Sequence, residues 1–255
     1  MNVADKLVEI LENEGVKDVF GIPGDQILPL YKALSKSDIN HVLVRHEQAA
    51  AHAADGYTRS SGKIGVCIST VSPGALNFTM ALATAFKDNV PILLLTGDNE
   101  LKYRGSDHFQ SLPQVEVLTP LTRASYNPLN GTEAIHVLKA ALYEHKNMPK
   151  GPIHINLSKD VLMSEDFQEF DLCYLCEDDL SKVSDAQKLI DASEKPLLIL
   201  GAGAISQRDK IYEISKKYQI PISTTFHAKG IISDRDDLNL GLAGIRNSPR
   251  SKYAY

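Results

Sequence analysis

The stretch "VPILLLTG" (Val90–Gly97) limits the fold most tightly, because it is apolar at every position from Ile92 to Leu95. Successive side chains of a strand point to opposite faces. A strand that is apolar at each step must be covered on both sides, as in a parallel sheet lying between helices. The run is far too short to span a bilayer, and so is every other apolar run in the chain.

Other segments repeat the theme. "VKDVFGI", "HVLV", "IGVCIST" and "GPIHINL" read as further strands, and residues 3–14, 26–35, 46–61, 74–87 and 132–146 carry helical patterns. The stretch between "VPILLLTG" and residue 132 reads as irregular. Strands alternating with helices predict an α/β fold with a doubly wound parallel sheet over residues 1–165. Residues 166–183 lie in an acidic segment without a clear period and read as a linker. A second α/β unit follows over 184–255, with helices at 184–193 and 207–218 and strands "KPLLILG" and "IPISTTF". The closing "GLAGIRNSPRSKYAY" reads as the start of another helix. Two or three parallel strands cover their own faces and edges poorly, so this unit is expected to be completed by a partner or by more chain.

Composition narrows the function classes. Of the 255 residues 43% are hydrophobic and 23% charged, the balance of a globular protein with a sizeable core. A net charge of −5 with scattered basic residues argues against nucleic-acid binding. The N-terminal "MNVADKLVEILENEG" is an acidic amphipathic helix, unlike a secretory signal. Three cysteines fit a reducing cytoplasm rather than a disulfide framework. Cys173 and Cys176 form a C-x-x-C, but no second pair or histidine stands at zinc-ligand spacing, so no metal site is assigned. His46 and His52, six apart, do not share a helix face and read as surface or hydrogen-bonded residues.

Two Gly-Pro turns, "GIPGD" (Gly21–Asp25) and "VSPGALN" (Val71–Asn77), each follow a strand and precede a helix. Such turns bring backbone and free N–H groups close to a ligand, although ordinary strand-to-helix turns use glycine as well. "GAGA" (Gly201–Ala204) lacks the third glycine of a dinucleotide fingerprint and is compatible with structural use or nucleotide contact. The alanine helix begins "RHEQAAAHAADGY", with Glu47 at its head. A carboxyl among small, close-packing neighbours can exchange a proton with a ring nitrogen. It can equally complement the helix dipole.

Taken together and in order, "VKDVFGIPGD", "HVLVRHEQAAAHAADGYTRSSGKIGVCISTVSPGALN", "VPILLLTGD", "SDHFQSLPQVEVLTPLTRASY" and "GPIHINLSKDV" closely resemble the pyrimidine-binding domain of thiamine-diphosphate enzymes, above all the acetolactate synthase large subunit. The likeness is dense to about residue 165 and thinner over 184–255, which resembles the first half of that family's central domain. It implies that Glu47 hydrogen-bonds N1′ of the cofactor's aminopyrimidine, favouring the imino form that takes the proton from C2 of the thiazolium. Decarboxylation of pyruvate and transfer of the two-carbon unit to a second 2-keto acid would follow. The small alanines would admit the pyrimidine and a neighbouring subunit.

By the same resemblance Pro23 and Gly24 form the turn beside the cofactor, and Pro73, Gly74 and Asn77 the second loop at the pyrimidine. Phe109 and Gln110 would line the substrate pocket, with Gln110 also at the catalytic centre. Gly201 and Gly203 match the turn that touches FAD in the synthases that bind it. The chain departs from the family's glycines at Asp25, Ser72 and Ala49. The magnesium that anchors the diphosphate is held in that family by a later domain with a Gly-Asp-Gly motif. "GDN" (Gly97–Asn99), with Asn127 beyond it, aligns elsewhere and is not read as a metal site. The expected protein is therefore the pyrimidine side of an acetolactate-synthase-like enzyme, a homo- or hetero-oligomer that takes its diphosphate-binding domain from elsewhere. A subunit of a 2-keto acid decarboxylase and an inactive remnant are the alternatives.

Overall fold

In the computed structural model, residues 1–146, 150–170, 181–244 and 248–253 are described. The chain forms two compact units, Met1–Tyr174 and Leu175–Tyr255. Cys173 and Cys176 lie outside the described residues.

The first unit begins with α1 (Val3–Asn13), started by a capping box in which Asn2 Oδ1 accepts from Asp5 N at 2.9 Å and Asp5 Oδ2 from Asn2 N. Such a cap satisfies amides that the first helical turn leaves free. There follow β1 (Asp18–Gly21), α2 (Leu28–Leu34), β2 (Asn40–Leu43), α3 (Glu47–Ser61), β3 (Gly65–Ser69), α4 (Pro73–Leu76), α5 (Thr79–Asp88) and β4 (Ile92–Asp98). Next come α6 (Gln114–Leu118), β5 (Ala124–Tyr126), α7 (Gly131–Lys146), β6 (Ile153–Ser158) and α8 (Lys159–Met163). All strand pairs are parallel, in the order β2-β1-β3-β4-β6-β5.

Both faces of this sheet are covered, as the apolar run of β4 requires. Leu93 and Leu95 join Val66, Ile68, Ile153 and Ile155 under α1, α2 and α7. Ile92 and Leu94 pack on the other face with Phe20, Phe78 and the alanines of α3 and α5. Each such leucine or isoleucine contributes roughly 1.5–3 kcal/mol of burial free energy. The smallness of α3 has an internal cause too. Ala50, Ala51 and Ala54 are buried within this chain, and α3 runs so close to β3 that a Cβ on Gly65 would strike the carbonyl of Ala54. Those three alanines therefore do not face a subunit interface, as the resemblance had suggested for the row as a whole. Ala49 remains exposed.

Three local expectations are corrected. The stretch read as irregular holds the edge strand β5, only three residues long and half-buried. The helix expected over 74–87 is two helices, broken at Asn77 and Phe78. In the second unit, built of α9 (Val183–Asp191), β7 (Leu198–Leu200), α10 (Arg208–Tyr218), β8 (Ile222–Thr224) and β9 (Asn239–Leu242), the expected closing helix begins inside β9 instead. Its described remainder is a single tight turn at Ser251–Tyr253. Polar Asn239 and the glycine at 241 hid β9 from any reading of apolar pattern. The second sheet has the parallel order β7-β8-β9 and a small core of Leu200, Ile222 and Ile232, leaving Ile199 and Ile214 about half exposed.

Candidate active site

The first sheet reverses its winding direction between β1 and β3. The chain goes from β1 outward to β2, then returns past β1 to lay down β3 and β4. Loops leaving two such neighbours part in opposite directions, and the crevice at their carboxyl ends is where ligands bind in open α/β sheets. "GIPGD" leaves β1 and "VSPGALN" follows β3, so both turns meet there. They meet tightly: a Cβ on Gly24 would lie 2.7 Å from Thr70 Oγ1 and 2.8 Å from its Cγ2. Pro23 and Pro73 stand exposed on the two turns, Pro73 in the first turn of α4, where its missing N–H costs nothing.

Glu47 enters the crevice from α3. His46 caps that helix, its Nδ1 accepting from Gln48 N at 3.2 Å, and Glu47 is the acid in the first turn. Asn77 Nδ2 donates to Glu47 Oε2 at 2.8 Å. The other oxygen, Oε1, lies 3.0 Å from where a Cβ on Gly74 would stand, and that Cβ would be 2.5 Å from Ser69 Oγ. Only a glycine lets this turn pass under the carboxylate. Ser69 Oγ itself is buried without a hydrogen-bond partner among the described residues. The break between α4 and α5 is what presents Asn77 to the glutamate. A half-buried carboxylate pinned through one oxygen by an amide and free at the other can accept a hydrogen bond from a ring N–H.

Behind Glu47 lies a pair that the sequence did not signal. Tyr31, on α2, has its hydroxyl 3.2 Å from His41 Nε2, and that nitrogen is 3.3 Å from the carbonyl oxygen of Gly21. Burial, and secondarily the charge of Glu47, push the Tyr31 phenol well above its ordinary value. Burial draws the His41 imidazole down, the Gly21 carbonyl opposing. The phenol therefore stays protonated beside the carboxylate.

Phe109 and Gln110 lie on the loop between β4 and α6, Phe109 75% exposed and Gln110 in the left-handed region at φ 58°. Neither side chain hydrogen-bonds to the Glu47 cluster. Their loop walls a separate hollow of about 410 Å³, whose lining includes Asp98, Arg104, Gln114, Asn127 and Asn156. Within it the polar groups of "GDN" are engaged with the protein. Asp98 accepts from Asn99 N and from Asn156 Nδ2, both at 2.8 Å, Asn99 Nδ2 donates to the Phe109 carbonyl at 3.1 Å, and Asn127 Oδ1 accepts from Arg104 at 2.7 Å. Among the described residues no group of three or more His, Cys, Asp or Glu is gathered as a metal site.

The departure at Asp25 is turned outward, its carboxylate 2.9 Å from Lys159 Nζ. Ser72 is fully buried and tied to the 109–114 loop. In the second unit, a Cβ on Gly201 or Gly203 would meet nothing within 4 Å, so internal packing does not demand glycine at either.

A ligand crevice at the switch point of a parallel sheet, with a glutamate at a helix start and two Gly-Pro turns against it, defines a class that family comparison makes specific. Residues 1–117 match the thiamine pyrophosphate enzyme N-terminal TPP binding domain, and residues 183–255 match the central domain of thiamine pyrophosphate enzymes. The chain belongs to the thiamine pyrophosphate enzymes, of which it carries these two domains. It is similar to the "Probable acetolactate synthase large subunit" of Methanocaldococcus jannaschii, 36% identical over 268 residues that cover 100% of this chain and 45% of the relative. The acetolactate synthase of Arthrospira platensis is 35% identical over 269 residues, covering 97% and 45%. The acetolactate synthase large subunit of Pyropia yezoensis is 36% identical over 264, covering 97% and 45%. The chain thus spans less than half the length of these curated relatives.

Proposed function

We propose that this chain forms the pyrimidine side of an acetolactate-synthase-like enzyme, which decarboxylates pyruvate and joins the two-carbon unit to a second 2-keto acid. The observation that carries the reading is the Glu47 carboxylate, fixed by Asn77 on one oxygen and open on the other above the bare backbone of Gly74. These residues fit thiamine diphosphate on its ring side. Gly74 is a cradle that any Cβ would fill, and among the described residues the buried Ser69 hydroxyl beside it has no hydrogen-bond partner. When bound, the cofactor supplies the carbon nucleophile and the electron sink for the 2-keto acid.

The roles of the protein groups follow from their positions. Glu47 holds the proton shared with N1′ of the aminopyrimidine, Asn77 keeps its carboxylate in one orientation, and Gly24, Gly74 and their prolines shape the slot. Phe109 and Gln110 face the 2-keto acid. Magnesium and the diphosphate belong to a further domain, supplied by a partner subunit or by additional sequence in a homo- or hetero-oligomer. The open turn at Gly201 and Gly203 is the place where FAD would be held.

Assembly of the chain with a diphosphate-binding domain, followed by product analysis, tests the proposal. Acetolactate from pyruvate is expected, and free aldehyde alone would indicate a decarboxylase. In that assembly Glu47→Gln should lower turnover by about 10²-fold or more, with the circular dichroism spectrum unchanged. Wild-type turnover in the variant would remove Glu47 from the mechanism.

A further inference from the structure

The loop that carries Phe109 and Gln110 is not held by apolar packing. Phe109 is 75% exposed and Leu112 52%, so neither anchors it. It is held by polar side chains reaching in from elsewhere, and the most enclosed of these is Ser72, at 0% exposure. The Ser72 hydroxyl accepts from Leu112 N at 3.1 Å, and its single hydrogen faces both the Leu112 carbonyl at 3.3 Å and Gln114 Oε1 at 3.1 Å. Both backbone polar groups of one loop residue thus rest on one side-chain oxygen. Gln114, itself buried, donates through Nε2 to the Gly97 carbonyl at 3.0 Å and to Asn156 Oδ1, which fastens the clamp to β4 and β6.

Ser72 immediately precedes Pro73 and Gly74 on the turn beneath Glu47. We infer that Ser72 is a positioning residue that couples the two walls of the site: it ties the 109–114 loop to the 71–77 turn, so that the cofactor side and the 2-keto acid side keep one fixed separation. A glycine at this position would have no side chain with which to do so. A loop without this clamp is free to sample several positions, and an ordering cost then falls on substrate binding. The consequence for the 2-keto acid rests on the assignment of Phe109 and Gln110 to its pocket, whereas the tether itself does not.

Two measurements on Ser72→Ala and Ser72→Gly separate these. The first is amide hydrogen exchange of the full chain without cofactor. Loss of the hydroxyl leaves the Leu112 N–H unpaired, and exchange in the 109–114 segment should accelerate about tenfold. Amides of β3 and β4 should keep their protection. Unchanged exchange at 109–114, or loss of protection throughout the first unit, would overturn the tether. The second is kinetics of the assembly with its diphosphate-binding domain, where KM for the 2-keto acid should rise about tenfold while kcat stays within about twofold. A loosened loop with wild-type KM would uphold the tether and overturn the placing of Phe109 and Gln110 at the substrate.

Discussion

Replacing Gly74 by alanine adds one methyl group directly beneath the Glu47 carboxylate. Its Cβ would stand 2.5 Å from Ser69 Oγ, 3.0 Å from Glu47 Oε1 and 3.3 Å from Thr70 Cγ2. Ser69 belongs to β3 and is fully buried, so it cannot retreat far, and the carboxylate must give way by a few tenths of an ångström. Overpacking of this kind costs about 1–3 kcal/mol. Loss of glycine from the unfolded chain offsets about 0.5–1 kcal/mol. A net loss of roughly 0.5–2 kcal/mol should lower the melting midpoint of the first unit by about 1–8 °C, at about 2–4 °C per kcal/mol for a unit of this size. Thiamine diphosphate binding to the assembled enzyme should weaken more steeply, by tenfold or more, because the displaced group is the one proposed to hold the ring. Differential scanning calorimetry and titration calorimetry read the two effects separately. Gly56→Ala is the control: it lies inside α3 with nothing within 4 Å of a Cβ, and should stabilise the chain by about 0.5–1 kcal/mol. Native stability and native cofactor affinity in Gly74→Ala would refute the close passage of this turn beneath Glu47.

Asn77→Asp would set a second carboxylate where an amide now donates to Glu47 at 2.8 Å. The repulsion, between about 1 and about 4 kcal/mol for this half-buried position, should make the variant's melting deficit from wild type smaller at pH 5 than at pH 8, and a pH-independent deficit would count against the contact. Buried His154 and His145 are drawn down by burial to about 3 and about 4, against 6.5 for a free imidazole. The unfolded chain therefore binds more protons below pH 6.5, and stability present above that value should fall by about 1.4 kcal/mol per pH unit for each histidine as pH drops toward 4. Calorimetry across pH 4–7 measures the slope, which His154→Gln should reduce by about 1.4 kcal/mol per pH unit.

Much of the architecture was legible from local pattern. The doubly apolar β4, the Gly-Pro turns and the acid at the head of the alanine helix each declare themselves within a dozen residues, because strand and helix impose short periods on side-chain polarity. Strands β5 and β9 did not declare themselves, being short, half-polar and placed by their neighbours rather than by their own composition. The doubly wound class was readable; the order β2-β1-β3-β4-β6-β5 came only from the structure. That order brings the turns after β1 and β3 into one crevice.

The sequence by itself determined a parallel α/β sheet and singled out Glu47 between two glycine turns. Tertiary structure decided what surrounds that carboxylate: Asn77 from a helix break, Tyr31 and His41 behind it, and Ser72 clamping a loop forty residues further on. Asn77 and Ser72 bond to residues thirty and forty positions away, and a hydrogen bond over such a distance leaves no periodic trace in the sequence. Its existence depends on where the sheet places the two backbones, a property of the packed whole.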